Sequence, residues 1–202
     1  MDSHTSFIII HLIGLAFGVG GVTSSHFYLH HIMEEPAAAE IYARMLPKFS
    51  LLIWFGVYLL GTSGLGLFLE QPEVYANSGK FMAKMVMVAV LMASGLYLSG
   101  PVTKKVLALS QRDWRERSER FCQAMKIAIP GGVISIASWF GALILGAVGP
   151  QDWSMGQILS VYFYMILVGV MAGFLARDRL LSTGAAKRST FRVHQAVTEE
   201  PK

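Results

Sequence analysis

The sequence predicts an all-α membrane protein, a polytopic bundle of five spanning helices, on three observations. Charged residues make up 15% of the 202, against about 25% in an ordinary soluble domain. Five uncharged or nearly uncharged segments stand out, at roughly 6–30, 49–69, 81–103, 127–149 and 154–176. About 20 apolar residues cross a hydrocarbon core of about 30 Å, so each segment is long enough to span. The third observation is where the positive charge falls. Fifteen Lys and Arg lie in the first loop, the third loop and the C-terminal tail, whereas Lys80 alone lies on the other side and Lys84 falls inside a span. The positive-inside rule then places the N-terminus outside and the C-terminus in the cytoplasm, as an odd number of helices requires. A single membrane domain over 1–180 is expected, followed by a basic and mobile tail over 181–202.

The first span is the most unusual. Residues 6–33, "SFIIIHLIGLAFGVGGVTSSHFYLHHIM", carry no formal charge and four histidines. It reads as a retained helix and not as a cleaved leader, because its flank has Asp2 without Lys or Arg and its apolar run is too long. Gly14, Gly18, Gly21 and Ser25 form a stripe of small residues, the kind of face that lets helices approach closely in lipid. His11 lies on that stripe and His26 about 60° from His11 around the helix, with about 22 Å of rise between them. His30 and His31 sit at the helix end, where interfacial polar residues are ordinary. In the second span, Trp54 and Tyr58 are suited to stacking on a ring system, although aromatic side chains in spans also serve as packing and interface anchors.

The third span holds Lys84 about one turn in from Lys80 and about 20° from the line of Gly95, so its amine tends toward the packed face. Snorkelling to the headgroups is the plainer alternative. Met82, Met85 and Met92 offer thioethers to Cu(I), or are adaptable packing residues. Between the third and fourth spans, "SQRDWRERSERFCQAMK" (110–126) spaces Trp114, Phe121 and Met125 for a short amphipathic helix at the cytoplasmic surface. The fourth span offers Gly131, Ser135, Ser138 and Ala142 as a small-residue face, and the fifth offers Gly169 and Gly173.

Several function classes are excluded. A formal net charge of +4 does not point to nucleic acid, because the positive residues are where topology puts them. The single cysteine, Cys122, permits no intramolecular disulfide and makes a cysteine-based metal site improbable. No P-loop, zinc-protease helix, catalytic triad or dinucleotide fingerprint is present. What remains is the intramembrane histidines and lysine. Polar groups facing a bundle are functional candidates, and imidazole is a usual axial ligand of haem iron. No other span contains a histidine, so bis-histidine ligation within one chain fails. A haem b with His11 and a non-histidine partner, one near His26, or ligation completed by a second subunit stay open. Lys84 is a candidate second ligand, carboxylate partner or proton relay.

Three stretches carry a family resemblance. "HLIGLAFGVGG" opening the first span, "ARMLPKFSLLIWFGVYLL" leading into the second and "FMAKMVMVAVLMASGLYLSGPVTKKV" through the third resemble the HemJ family of membrane protoporphyrinogen IX oxidases and the related CopD-like membrane proteins. The likeness covers residues 11–107, about half the chain. His11, Arg44 and Lys84 match that group's histidine, arginine and lysine by position, and the resemblance implies catalytic roles for Lys84 and Arg44. It also implies b-type haem, with oxidation of a porphyrinogen or electron passage to a quinone or respiratory-chain partner, in a bacterial cytoplasmic (inner) membrane. The second half of the first span departs from the pattern. Two other functions are expected to compete: a non-catalytic subunit of a respiratory or photosynthetic complex, assembled with copies or other chains through Gly-rich faces, and transport of copper or another small solute.

Overall fold

A computed structural model describes residues 2–35, 39–148 and 153–198, and every regular element among them is helical. Helix α1 (Ser3–Glu34) starts where extended Asp2 accepts the Thr5 N–H at 3.3 Å, which satisfies one of the free donors of the first turn. Helix α2 is Ala39–Glu70 and α3 the single turn Pro72–Ala76, opened by a proline at its first position. Helix α4 (Gly79–Tyr97), capped by Ser78, continues through a widened π turn at Leu98–Val102 into α5 (Thr103–Leu107). Helices α6 (Gln111–Glu116), α7 (Glu119–Ala147) and α8 (Met155–Thr198) complete the chain.

Five helices are long and apolar enough to cross a membrane: Ser3–Ile32, Ala39–Glu70, Gly79–Leu107, Glu119–Ala147 and Met155–Ala176. The shortest has 22 residues and rises about 33 Å, slightly more than the hydrocarbon thickness. Each helix outruns or matches its apolar segment, because charged ends can stay helical in the headgroup layer. The backbone of α8 continues past Ala176 to Thr198, and residues 199–202 of the basic tail lie outside the described residues. Large apolar side chains project outward along the helices, Leu51 at 73%, Tyr164 at 68% and Leu175 at 63% exposure among them. Water-soluble surfaces do not carry apolar faces of this extent; lipid does.

Helix α7 is central, packed against α1, α4 and α8, while α1 and α2 form a long hairpin of their own. Small residues on α7 make that position possible: Gly131, Gly132, Ser135, Ala137 and Ser138 are all buried. The α1–α2 contact is closer still. A Cβ on Gly56 would lie 2.6 Å from the Gly18 amide nitrogen and 2.7 Å from the Gly14 carbonyl oxygen. With backbone on the receiving side there is nothing to rotate away, so glycine is required there.

The segment expected to form one amphipathic surface helix is divided. Helix α6 ends at Arg117, the only non-glycine described residue in left-handed backbone (φ 49°). Ser118 then caps α7 by accepting the Phe121 N–H at 3.3 Å. The physical reason is Asp113, whose carboxylate accepts from the Ser118 hydroxyl at 2.6 Å and from the Ser110 amide and hydroxyl at 2.9 and 2.7 Å. These bonds close α6 on itself and start a new helix. Trp114 is buried edge-on against Phe121, with ring centroids 5.2 Å apart, so the apolar spacing that suggested membrane contact serves internal packing.

Two outcomes follow from these contacts. Gly56→Ala is expected to destabilise the bundle by about 1–3 kcal/mol, the usual cost of overpacking. Gly61→Ala, where a Cβ meets nothing within 4 Å, leaves stability unchanged or raises it by up to about 1 kcal/mol; thermal unfolding in detergent micelles separates them. The Ser118 and Ser110 hydrogen bonds hold the Asp113 carboxyl down at about 2 against an ordinary 3.8. A depressed carboxyl contributes stability above its unfolded pKa and loses it as pH falls through the folded one. Protection of the residue 110–118 amides, taken relative to the intrinsic exchange rate at each pH, should therefore hold at pH 5 and fall between about pH 4 and pH 2.

Candidate functional site

The two ends of α1 each present a histidine to the bundle interior. At the N-terminal end, His4 Nδ1 pairs with Glu70 Oε2 at 2.5 Å, and Lys80 Nζ donates to the Val148 carbonyl. These contacts fix the start of α1 beside the end of α2, and the start of α4 beside the end of α7. About two turns in from His4, His11 is half-buried, its Nδ1 3.0 Å from Ser63 Oγ. Ser63 is itself buried and donates its hydroxyl proton to the Leu59 carbonyl at 2.6 Å. With that proton committed, the Ser63 oxygen accepts, so His11 carries its proton on Nδ1 and a lone pair on Nε2. Gly64 gives the ring room: a Cβ there would come 3.6 Å from His11 Cε1.

Lys84 is half-buried on α4, and its Nζ lies 3.5 Å from where a Gly146 Cβ would stand. It falls within electrostatic range of His11. The placement expected from the sequence, an imidazole and an amine at one level on two helices, is what the bundle contains. Helix α7 packs against both α1 and α4 and so links the two.

At the other end, His26 Nδ1 lies 2.9 Å from the Val22 carbonyl oxygen one turn back on its own helix. A carbonyl only accepts, so this imidazole too is protonated at Nδ1. Its Nε2 has no partner among the described residues and faces α7, 2.8 Å from the position of a Gly132 Cβ. His26 lines a part-enclosed cavity of about 100 Å³ walled by α1, α2, the α4 π turn and α7. Trp54 stands in the wall, its indole N–H donating to Ser99 Oγ at 3.1 Å, while Ser99 and Ser50 share a proton at 2.9 Å. The π turn is what makes the space. Pro101 has no N–H to give the Tyr97 carbonyl one turn back, and the Leu98 carbonyl accepts from the Thr103 N–H and, at 2.7 Å, from its Oγ1 hydroxyl. Leu98, Ser99, Val102 and Thr103 all line the cavity.

The remaining expected residues are elsewhere. Arg44 is exposed and paired with Glu40 at 2.6 Å, one turn away on α2. Tyr58 is 65% exposed and points off the bundle, as do Met82 and Met85. Among the described residues no three His, Cys, Asp or Glu side chains cluster to hold a metal ion. Ser63, Gly132 and the π turn had not been singled out as site residues. A serine on a packed helix face and the Gly100–Pro101 pair inside an apolar run were the signals available. No family model matches the chain, and no curated protein or solved structure matches it.

Proposed function

We propose that the chain is a haem-b-binding membrane protein of electron transfer, with its N-terminus outside and its C-terminus in the cytoplasm. The observation that carries the reading is the His11 imidazole, locked at Nδ1 by Ser63 with Lys84 within electrostatic range. Imidazoles that ligate metals commonly spend the other ring N–H on a protein acceptor, which fixes tautomer and ring orientation and raises basicity. The donor chemistry at His11 therefore fits haem iron. The cavity at His26 does not fit a macrocycle: an engineered cavity of roughly 150 Å³ holds benzene, and this one is smaller. The haem reading is accordingly confined to His11.

In this reading His11 Nε2 would ligate the haem iron, and Ser63 is a positioning residue that keeps the ring neutral and oriented. Lys84 holds a propionate, or the carboxylate of a porphyrinogen substrate, as a cation shielded from bulk water. A bound haem supplies one-electron chemistry at a potential set by ligand, burial and hydrogen bonding. Arg44 takes no part at this end, since it lies on the far side of the bilayer from His11 in the proposed orientation.

Protein purified in detergent from haem-sufficient cells should show Soret and α bands on dithionite reduction. His11→Ala should abolish them, Ser63→Ala should weaken haem retention by about 10–100-fold, and His26→Ala should keep them. A colourless wild type, or a His11→Ala spectrum matching wild type, overturns the assignment. Orientation is tested separately. A phosphatase that is active only outside the cytoplasm should work when fused in the α2–α4 connection and fail when fused after Ala108.

A further inference from the structure

We infer that the cavity beside His26 binds the hydroxyl-bearing six-membered ring of a phenol or hydroquinone drawn from the membrane phase. Its chemistry is set by one atom. Because His26 spends its ring proton on Val22, Nε2 is an acceptor and nothing else, so the ligand must offer a hydrogen-bond donor. Its charge is set by the walls. No Lys, Arg, Asp or Glu lines the space, and an ion inside hydrocarbon without a counter-charge is costly; the ligand is neutral. A metal ion is disfavoured on the same ground, since His26 is the one strong ligand there.

Its size is set by the volume. About 100 Å³ is near the scale of the benzene site and well below the roughly 300–1,000 Å³ of drug-sized pockets. A single ring fits, with any tail leaving through the open side. Most of the donors here are already committed: Ser50 and Ser99 to each other, Trp54 Nε1 to Ser99 and Thr103 to Leu98, with Ser25 and Tyr42 paired together. Besides His26 Nε2, the Ser135 hydroxyl has no hydrogen-bond partner among the described residues. What is left is an apolar slot with Trp54 in the wall and Nε2 at one end, which is the pattern of a small-molecule pocket with a few placed polar groups. The inference stands on this geometry and does not require haem at His11.

Purified full-length protein in nanodiscs, titrated calorimetrically with a decyl hydroquinone and with 4-ethylphenol, tests it. Binding of at least one is expected, and the two arms distinguish a lipid-tailed ligand from a simple phenol. The O-methylated form of whichever binds has the same ring without the donor and should bind about tenfold more weakly. Gly132→Ala, whose methyl would stand 2.8 Å from Nε2 and push the ring from its place, should block binding, and His26→Phe should fill the slot and remove the acceptor. Equal binding of the methyl ether, unchanged binding in Gly132→Ala, or no binding of either ring overturns the inference. The methyl-ether comparison uses wild-type protein, so a misfolded variant cannot decide the outcome. The His11-dependent spectrum of the same preparations reads the haem proposal independently.

Discussion

An imidazole inside a bilayer has no water to take its N–H, so His11 and His26 must each find an acceptor within the protein. Both do so through Nδ1, by different means. His26 uses the Val22 carbonyl on its own helix, a bond that α1 provides wherever it is helical. His11 uses Ser63 on α2, a bond that exists only while α1 and α2 are packed in one register. That register depends on Gly14, Gly18 and Gly56, where backbone meets backbone. A packing constraint in the middle of the hairpin thereby fixes the protonation state of a ring near its end. The same commitment leaves each Nε2 as a lone pair inside a low-dielectric bundle, the state in which imidazole acts as ligand or acceptor.

The two ends then diverge by what surrounds the ring. At His11 the neighbours are Gly64, in ordinary contact with the ring, and the Lys84 amine of α4 within electrostatic range. That combination favours an anionic or metal-bearing group. At His26 no charge lines the walls, and the π turn forced by Pro101 spreads the helix enough to leave open volume. One helix thus presents the same side chain in two environments. The difference is supplied by α4: its second turn brings Lys84, and the π turn that follows it brings the bulge.

The five spans were legible because bilayer thickness makes a coarse demand that composition alone can meet or fail. The inward turn of His11, His26 and Lys84 was legible too, since small residues mark packed faces and the helical period carries the inference along each span. Other features depend on contacts between segments distant in sequence. Nothing near His11 announces Ser63, which lies 52 residues on, and nothing near His26 announces Gly132. Surface aromatics misled for a related reason. Trp114 has the spacing of a membrane-facing residue, yet Asp113 closes the turn beneath it and folds the indole onto Phe121. Tyr58 faces outward, because the α2 face packed on α1 is the one carrying Gly56 and Ser63.

The layer between the two histidines bears on whether anything other than electrons passes between them. Val22, Leu91 and Trp139 form a buried cluster at that level, with the Trp139 ring set directly on Gly18. Trp139 is 1% exposed, and any side chain at Gly18 would collide with it, so the indole fills the space a channel would need. Among the described residues, the unpartnered polar atoms buried near this level are Trp139 Nε1 and Thr23 Oγ1. Two such atoms do not sustain a hydrated path through a layer of Val and Leu, since each water would need two to four partners of its own. Solute transport through the bundle would require this plug to move. The solid layer between the two histidines, about 22 Å apart along α1, therefore argues against a conduit.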